Sequence, residues 1–308
     1  MRLGFGLPMS GKLASAEALT AVAQRCEALG YDSLWTVDRV LYPVAPRTPY
    51  PASADGKLPG GSKRIFDPLD VLSFVAARTT RIAVGTSVLV LPLYQPVLLA
   101  RRLTSIDVLS GGRLRLGIGT GWSADEFEAA GVPMRERGAR ADEAVALLKA
   151  WWTTNPVRFA GRFTQIPASV VDLRPVQQPH PKIYCAAFTP QTLRRVARDA
   201  DGWMPAGIPV DGMRAMFGAI RDMAGEHGRD PAHLELVVRA NLSISSAPLG
   251  AARPVFAGDL DQIRADIAAT RALGAHELLL DAAYTPQTGA LADLLEWAER
   301  LHALALAA

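Results

Sequence analysis

Cysteine is nearly absent. Cys26 and Cys185 are the only two in 308 residues, they lie far apart, and neither sits in a CxxC motif. A disulfide framework is excluded, and a reducing, cytoplasmic setting is expected. Long hydrophobic runs are missing too. The best stretch, "VLVLPLYQPVLLA", is short and broken by Pro92 and Pro96, so no bilayer span and no membrane partner is expected. The opening "MRLGFGLPMSGK" lacks the apolar core and cleavage site of a secretory leader. There is also little excess of either charge: 33 Lys and Arg stand against 30 Asp and Glu, a net of +3. The basic residues are dispersed, as in "RRLTSIDVLSGGRLR", which reads as solvated helix faces and not as a nucleic-acid stripe.

What the chain does have is a large apolar content, 49%, enough for a sizeable core. Strand and helix signals alternate from end to end. The expected strands are "LGFGLP", "DSLWTV", "IAVGTSVLVLP", "RLRLGIGTG", "KIYCAAF", "GWMP", "LELVVRANLSIS" and "ELLLDA". Helices fall between them, with capping residues where physical chemistry wants them: Ser15, Asp67 before Pro68, Thr189 before Pro190, and an Asp259-x-x-Gln262 capping box. Gly30 and Gly274 stand at helix ends. Eight strands, each followed by a helix, predict an α/β fold of the (β/α)8 TIM-barrel type. No repeat or composition shift marks a second domain, so a single domain over residues 1–308 is expected.

Two segments break the rhythm as insertions, one after strand 2 and one before strand 5. Residues 41–66 carry Pro43, Pro46, Pro49, Pro51 and Pro59, and on a barrel's active face they read either as a substrate lid or as a plain surface loop. Residues 153–181 include "VRFAGRFTQ", an alternating hairpin around Ala160-Gly161.

Chemistry in such a barrel sits where strands end. Those ends supply Asp38 and Arg39, then Thr86-Ser87-Val88, then Gly117, Gly119, Thr120, Gly121 and Trp122. Ala186-Ala187-Phe188-Thr189 follow, and later Asn241 and Ser243. They offer no His/Cys/carboxylate cluster with metal spacing and no Ser–His–Asp set, so no metal is expected. The five histidines lie elsewhere. Small residues let backbone approach a flat ligand, so "GIGTGW" is a candidate ring wall or simply a tight turn. The helix start at "FTPQT" is a candidate phosphate cup or an ordinary N-cap.

Within the third strand, Gly-Thr-Ser interrupts a run of Val, Ile and Leu, which weakens a strand. Here the residues match a family. "LGYDSLWTVDRV", "RIAVGTSVLVLPLYQPVLLARRLTSIDVLSGGRLRLGIGTGW", "FAGRFTQI", "ARDADGWMP" and "LGAHELLLDA" resemble the bacterial-luciferase-like flavin and deazaflavin oxidoreductases, especially their coenzyme F420-dependent branch. The resemblance implies a bulge with a non-prolyl cis peptide at Ser87–Val88 against one face of the cofactor ring. It places Asp38 and Thr86 beside that ring, with Gly119, Thr120, Gly121 and Trp122 at its border. Ala186, Ala187, Phe188 and Thr189 would take the cofactor phosphate. It also implies a homodimer.

The implied activity is hydride transfer between reduced coenzyme F420 and a small organic substrate. An FMN-dependent two-component monooxygenase and a non-catalytic cofactor-binding protein stand as alternatives. Three departures matter. Many relatives have Asp-His where this chain has Asp38-Arg39, and arginine cannot serve as a general base at ordinary pH. Trp122 stands where some dehydrogenase relatives have glutamate, and Ala186-Ala187 where Gly-Gly is common. Arg39 is then expected to act as an electrostatic partner for substrate or ring, and Tyr42, Glu126 or water as the proton source.

Overall fold

The computed structural model describes residues 1–53, 55–282 and 289–308. In chain order its strands are β1 (Arg2–Gly6), β2 (Ser33–Thr36), β3 (Ala83–Val90), β4 (Leu114–Gly119), β5 (Val157–Ala160), β6 (Gln165–Ser169), β7 (Ile183–Cys185), β8 (Gly202–Trp203), β9 (Glu235–Asn241), β10 (Ser243–Ile244), β11 (Ala257–Gly258) and β12 (Glu277–Asp281). Eight of them close a parallel barrel in the order β1-β12-β9-β8-β7-β4-β3-β2. The expected TIM barrel is there.

Helices α1 (Ala16–Leu29), α2 (Pro68–Ala76), α3 (Pro96–Leu109), α5 (Arg137–Thr153), α6 (Pro190–Asp199), α7 (Val210–Glu226), α8 (Leu260–Ala272) and α9 (Leu291–Leu306) alternate with the barrel strands; a short α4 (Ala124–Ala129) precedes α5. The caps form as the sequence predicts. Ser15 accepts from the Ala18 amide, and Asp67 accepts from those of Leu69 and Asp70. Thr189 and Asp259 anchor capping boxes. β5 and β6 pair antiparallel as the hairpin before the fifth barrel strand. Several details differ from the sequence expectation: "LELVVRANLSIS" is split, β9 ending at Asn241 and β10 pairing with β11 outside the barrel, and "GWMP" is a strand only over Gly202–Trp203. The strand in "KIYCAAF" stops at Cys185, because the chain turns there into the start of α6. α4, capped by Ser123, lies where no helix was expected.

The barrel interior is layered, as period-two alternation requires. At the bottom, Glu277 is fully buried and paired with Arg115, with Arg2 at 3.2 Å and the Trp35 indole at 3.1 Å. Beside it Glu235 takes Arg2, Lys182 and the Tyr184 hydroxyl. Burial pushes the Glu235 carboxyl up, but the Lys182 and Tyr184 hydrogen bonds and nearby cations outweigh it and bring it to about 2. Above lies an apolar layer of Trp35, Tyr184, Met204, Val237 and Leu279, with Val88 packed on it. Trp35 fits because its neighbours have no side chain: a Cβ on Gly4 or Gly85 would come within 2.6 Å of its ring.

Candidate functional site

The top layer opens at the C-terminal ends of the strands. Between Thr86 and Leu89 the ladder from β3 to β4 shifts register, and the Ser87–Val88 peptide is cis. The interruption foreseen from "GTSV" is therefore a bulge facing the mouth. Thr86 does not face it: the side chain is fully buried and its hydroxyl donates to the Gly117 carbonyl at 2.6 Å. Val88 caps the apolar layer, and a Cβ on Gly119 would meet it at 2.7 Å. Gly121 has φ +74, with Val90 and Phe127 where a side chain would go. The glycines of "GIGTGW" thus make room for the bulge itself.

On the β2 side, Arg39 and Glu126 come together. Their side chains are 9% and 3% exposed, joined by a 2.7 Å ion pair, and the second Glu126 oxygen accepts from the Val40 amide at 2.8 Å. The Arg39 guanidinium also stacks 4.5 Å from the Trp122 ring, which in turn meets Tyr50 at 5.4 Å. Asp38 accepts from the Val90 amide at 2.8 Å and the Tyr94 hydroxyl at 3.1 Å. Burial pushes its carboxyl up, those two hydrogen bonds offset only part of the rise, Glu126 and Asp67 add to it, and it lies at about 6.

The long segment 41–66, of which Ala54 lies outside the described residues, is tied down at both ends. Arg47 pairs with Asp125 and Glu128 of α4, and Thr48 accepts from the Ala124 amide. Ile65 bridges Ser10, and the Phe66 amide donates to Met9. Tyr42 stays within this segment: its hydroxyl reaches the Leu58 carbonyl at 3.4 Å and Lys63 lies over its ring. No hydrogen bond or ion pair joins Tyr42 to the Arg39–Glu126 pair.

At the fifth barrel strand, Ala186 is tied to β4 through its amide and Ala187 accepts from the Trp203 indole. Phe188 is 55% exposed. The amides of Phe188 and Thr189 both donate to the Thr192 hydroxyl oxygen, so this helix start is capped by its own side chains.

Sequence reasoning passed over Arg239 and Asp281. Arg239 donates to the Ser87 carbonyl, pairs with Asp281, and reaches the Asn241 side chain at 2.8 Å. Arg239 and Asp281, with Ser10, Trp35, Val37 and Leu279, line a small cavity in the mouth. The only signal for them was alternation along β9 and β12, which sends Arg239 and Asp281 inward above Val237 and Leu279. Among the described residues, no group of three His, Cys, Asp or Glu is placed to hold a metal ion, and no helix is long and apolar enough to cross a membrane.

A family model described as luciferase-like monooxygenase matches residues 3–305. The chain is 33% identical over 221 residues to an uncharacterized protein of Mycobacterium tuberculosis, covering 70% of this chain and 76% of the relative. It is 33% identical over 255 residues to the F420-dependent glucose-6-phosphate dehydrogenase of Kineococcus radiotolerans, covering 79% of this chain and 70% of that one. Among solved structures, the monooxygenase RslO1 from Streptomyces bottropensis aligns with a TM-score of 0.77 at 23% identity, over 99% of this chain and 97% of the other. That last likeness shows the fold.

Proposed function

The chain belongs to the luciferase-like monooxygenase family, and on that premise we propose that it is a coenzyme F420-dependent oxidoreductase acting on a small organic substrate. The observation that carries the reading is the β3 bulge at Ser87–Val88, open to the mouth of the barrel. A 33% identity to an F420-dependent enzyme, over a match that spans 79% of the chain, supports F420 over FMN. The residues fit a flat heterocycle. Val88 gives an apolar floor, while Ser87, Arg239 and Asn241 give a polar edge, and Trp122 with Tyr50 gives an aromatic rim. A phosphate at Ala186 to Thr189 would have to displace the Thr192 hydroxyl from the Phe188 and Thr189 amides, with Phe188 as an exposed apolar flank.

When bound, the deazaflavin supplies two-electron hydride chemistry, since carbon replaces the central ring nitrogen of a flavin. The protein's share is to orient, exclude water and hold protons. Segment 41–66 covers the β2 side through its ties to α4. Asp38, raised to about 6 by burial, can hold a proton at weakly acidic pH. Arg39 and Glu126 neutralise each other, so their part is to fix the wall that carries Trp122. The relative named for glucose 6-phosphate does not set the substrate here, because the side chain at position 39 is an arginine already engaged by a carboxylate.

Tryptophan fluorescence tests the proposal, since Trp122 lies at the rim and Trp35 beneath the bulge. Saturable quenching at micromolar reduced F420, with turnover of enones, nitro compounds or alcohols, is expected. A stronger response to reduced FMN with oxygen uptake would assign a two-component monooxygenase instead. Binding with no turnover across that panel would leave a cofactor-binding protein.

A further inference from the structure

The barrel carries two side-chain ties that run along its diameter. In the closed order of strands, β4 and β12 are opposite each other, and so are β3 and β9. Arg115 of β4 pairs with Glu277 of β12 in the bottom layer, below Trp35. Arg239 of β9 reaches Ser87 of β3 in the top layer, 152 residues away in sequence. The first tie lies beneath the apolar layer, with Glu277 fully buried. The second stands at the open mouth.

Its position needs a reason. The register shift between Thr86 and Leu89 takes Ser87 and Val88 out of the ladder to β4, so the Ser87 carbonyl has to find a donor elsewhere. A guanidinium presents five N–H groups in one rigid plane. Nη1 serves the Ser87 carbonyl and lies 3.3 Å from the Ser87 hydroxyl oxygen. Nη2 pairs with Asp281, and Nε donates to Asn241 at 2.8 Å. Three partners in three directions fix the plane of the group. Its side chain is 13% exposed and lines the cavity. A cation at this place therefore touches both the bulge and the space above it.

We propose that Arg239 is the positioning residue of the cofactor seat, setting where the Ser87 carbonyl and the Val88 face stand. The inference rests on the F420 reading for the identity of what is seated, but not for the tie itself. Lysine could keep the charge beside Asp281 yet could not reproduce the planar fork. A separate pair, Arg115–Glu277, braces the barrel from below.

Two readouts test the assignment on the full chain. In the free protein, Arg239→Met is expected to speed amide exchange in residues 83–90 by about tenfold while other barrel strands keep their rates. Arg239→Lys should fall between the two. With oxidised F420 as titrant, Arg239→Met should weaken binding about tenfold and Arg239→Lys should recover part of it. Should Arg239→Met fail to fold, Asn241→Ala removes the Nε anchor, and its amide exchange over residues 83–90, read in the free protein where no cofactor contact enters, is expected to rise by less. Unchanged exchange over residues 83–90 in the folded variants overturns the tie. Faster exchange with affinity equal to wild type overturns its role in seating the cofactor. If the wild type itself ignores F420, the proposed function fails, and the exchange rates still decide whether Arg239 holds the bulge.

Discussion

The carboxyl group of Asp38 is the clearest titration at the mouth. Its value of about 6 lies above that of an unfolded aspartate, so the folded chain keeps a proton that the unfolded chain has released. The sign follows: the contribution is full below about pH 4 and is lost as pH rises through about 6. An asparagine side chain in its place cannot ionise and still offers an oxygen to the Val90 amide and the Tyr94 hydroxyl. Asp38→Asn is therefore expected to raise the melting temperature relative to wild type more at about pH 8 than at about pH 4. Thermal unfolding at the two pH values checks it; equal shifts would contradict the raised value. Glu277 is a buried acid paired with Arg115 and Arg2. Glu277→Ala strands Arg115 and is expected to cost about 3–5 kcal/mol in urea unfolding. A loss under about 1 kcal/mol would mean that Arg115 finds water instead.

At the scale of elements, α4 is the fastening of the long segment that follows β2. It presents Asp125, Glu126 and Glu128; Arg47 answers from the segment, and Arg39 and the Val40 amide from the residues just before it. The exposed Arg47 pairs are screened by water and contribute little. The enclosed pair matters more, since removing one partner leaves a charge out of water, at about 3 kcal/mol or more. Arg47→Ala is expected to loosen residues 40–50 slightly and Glu126→Ala strongly, as measured by amide exchange. Exchange in that stretch unaffected by Glu126→Ala would show that proline stiffness, and not α4, holds the segment.

The sequence made most of these elements legible. Apolar runs bounded by Gly and Pro marked the barrel strands, and side-chain caps marked the helices, because both are set by neighbours close in sequence. α4 escaped because six residues with three acids show little apolar period. The bulge was readable from "GTSV" only through the family resemblance. Arg239, Asp281 and the Trp35 plug were not readable, since their partners lie on other strands far away in sequence. Arg239 alternates correctly along β9, yet nothing local says that it meets Ser87. The pairing of Arg39 with Glu126 was hidden for the same reason: 87 residues separate two groups that each looked available.

On the scale of the whole molecule, the protein is a barrel sealed below by paired charges, filled at its waist by Trp35, and open above. The division assigns stability to the lower layers and chemistry to the upper one, as in barrels generally. The central claim is that the Ser87–Val88 bulge is the seat of coenzyme F420. Amide exchange of the wild-type protein with and without oxidised F420 tests it most directly. The account predicts slowed exchange in residues 83–90 and 117–122 when F420 is added, and a weaker change with FMN at the same concentration. Protection confined to other parts of the chain, or none in those two stretches at saturating F420, would contradict it.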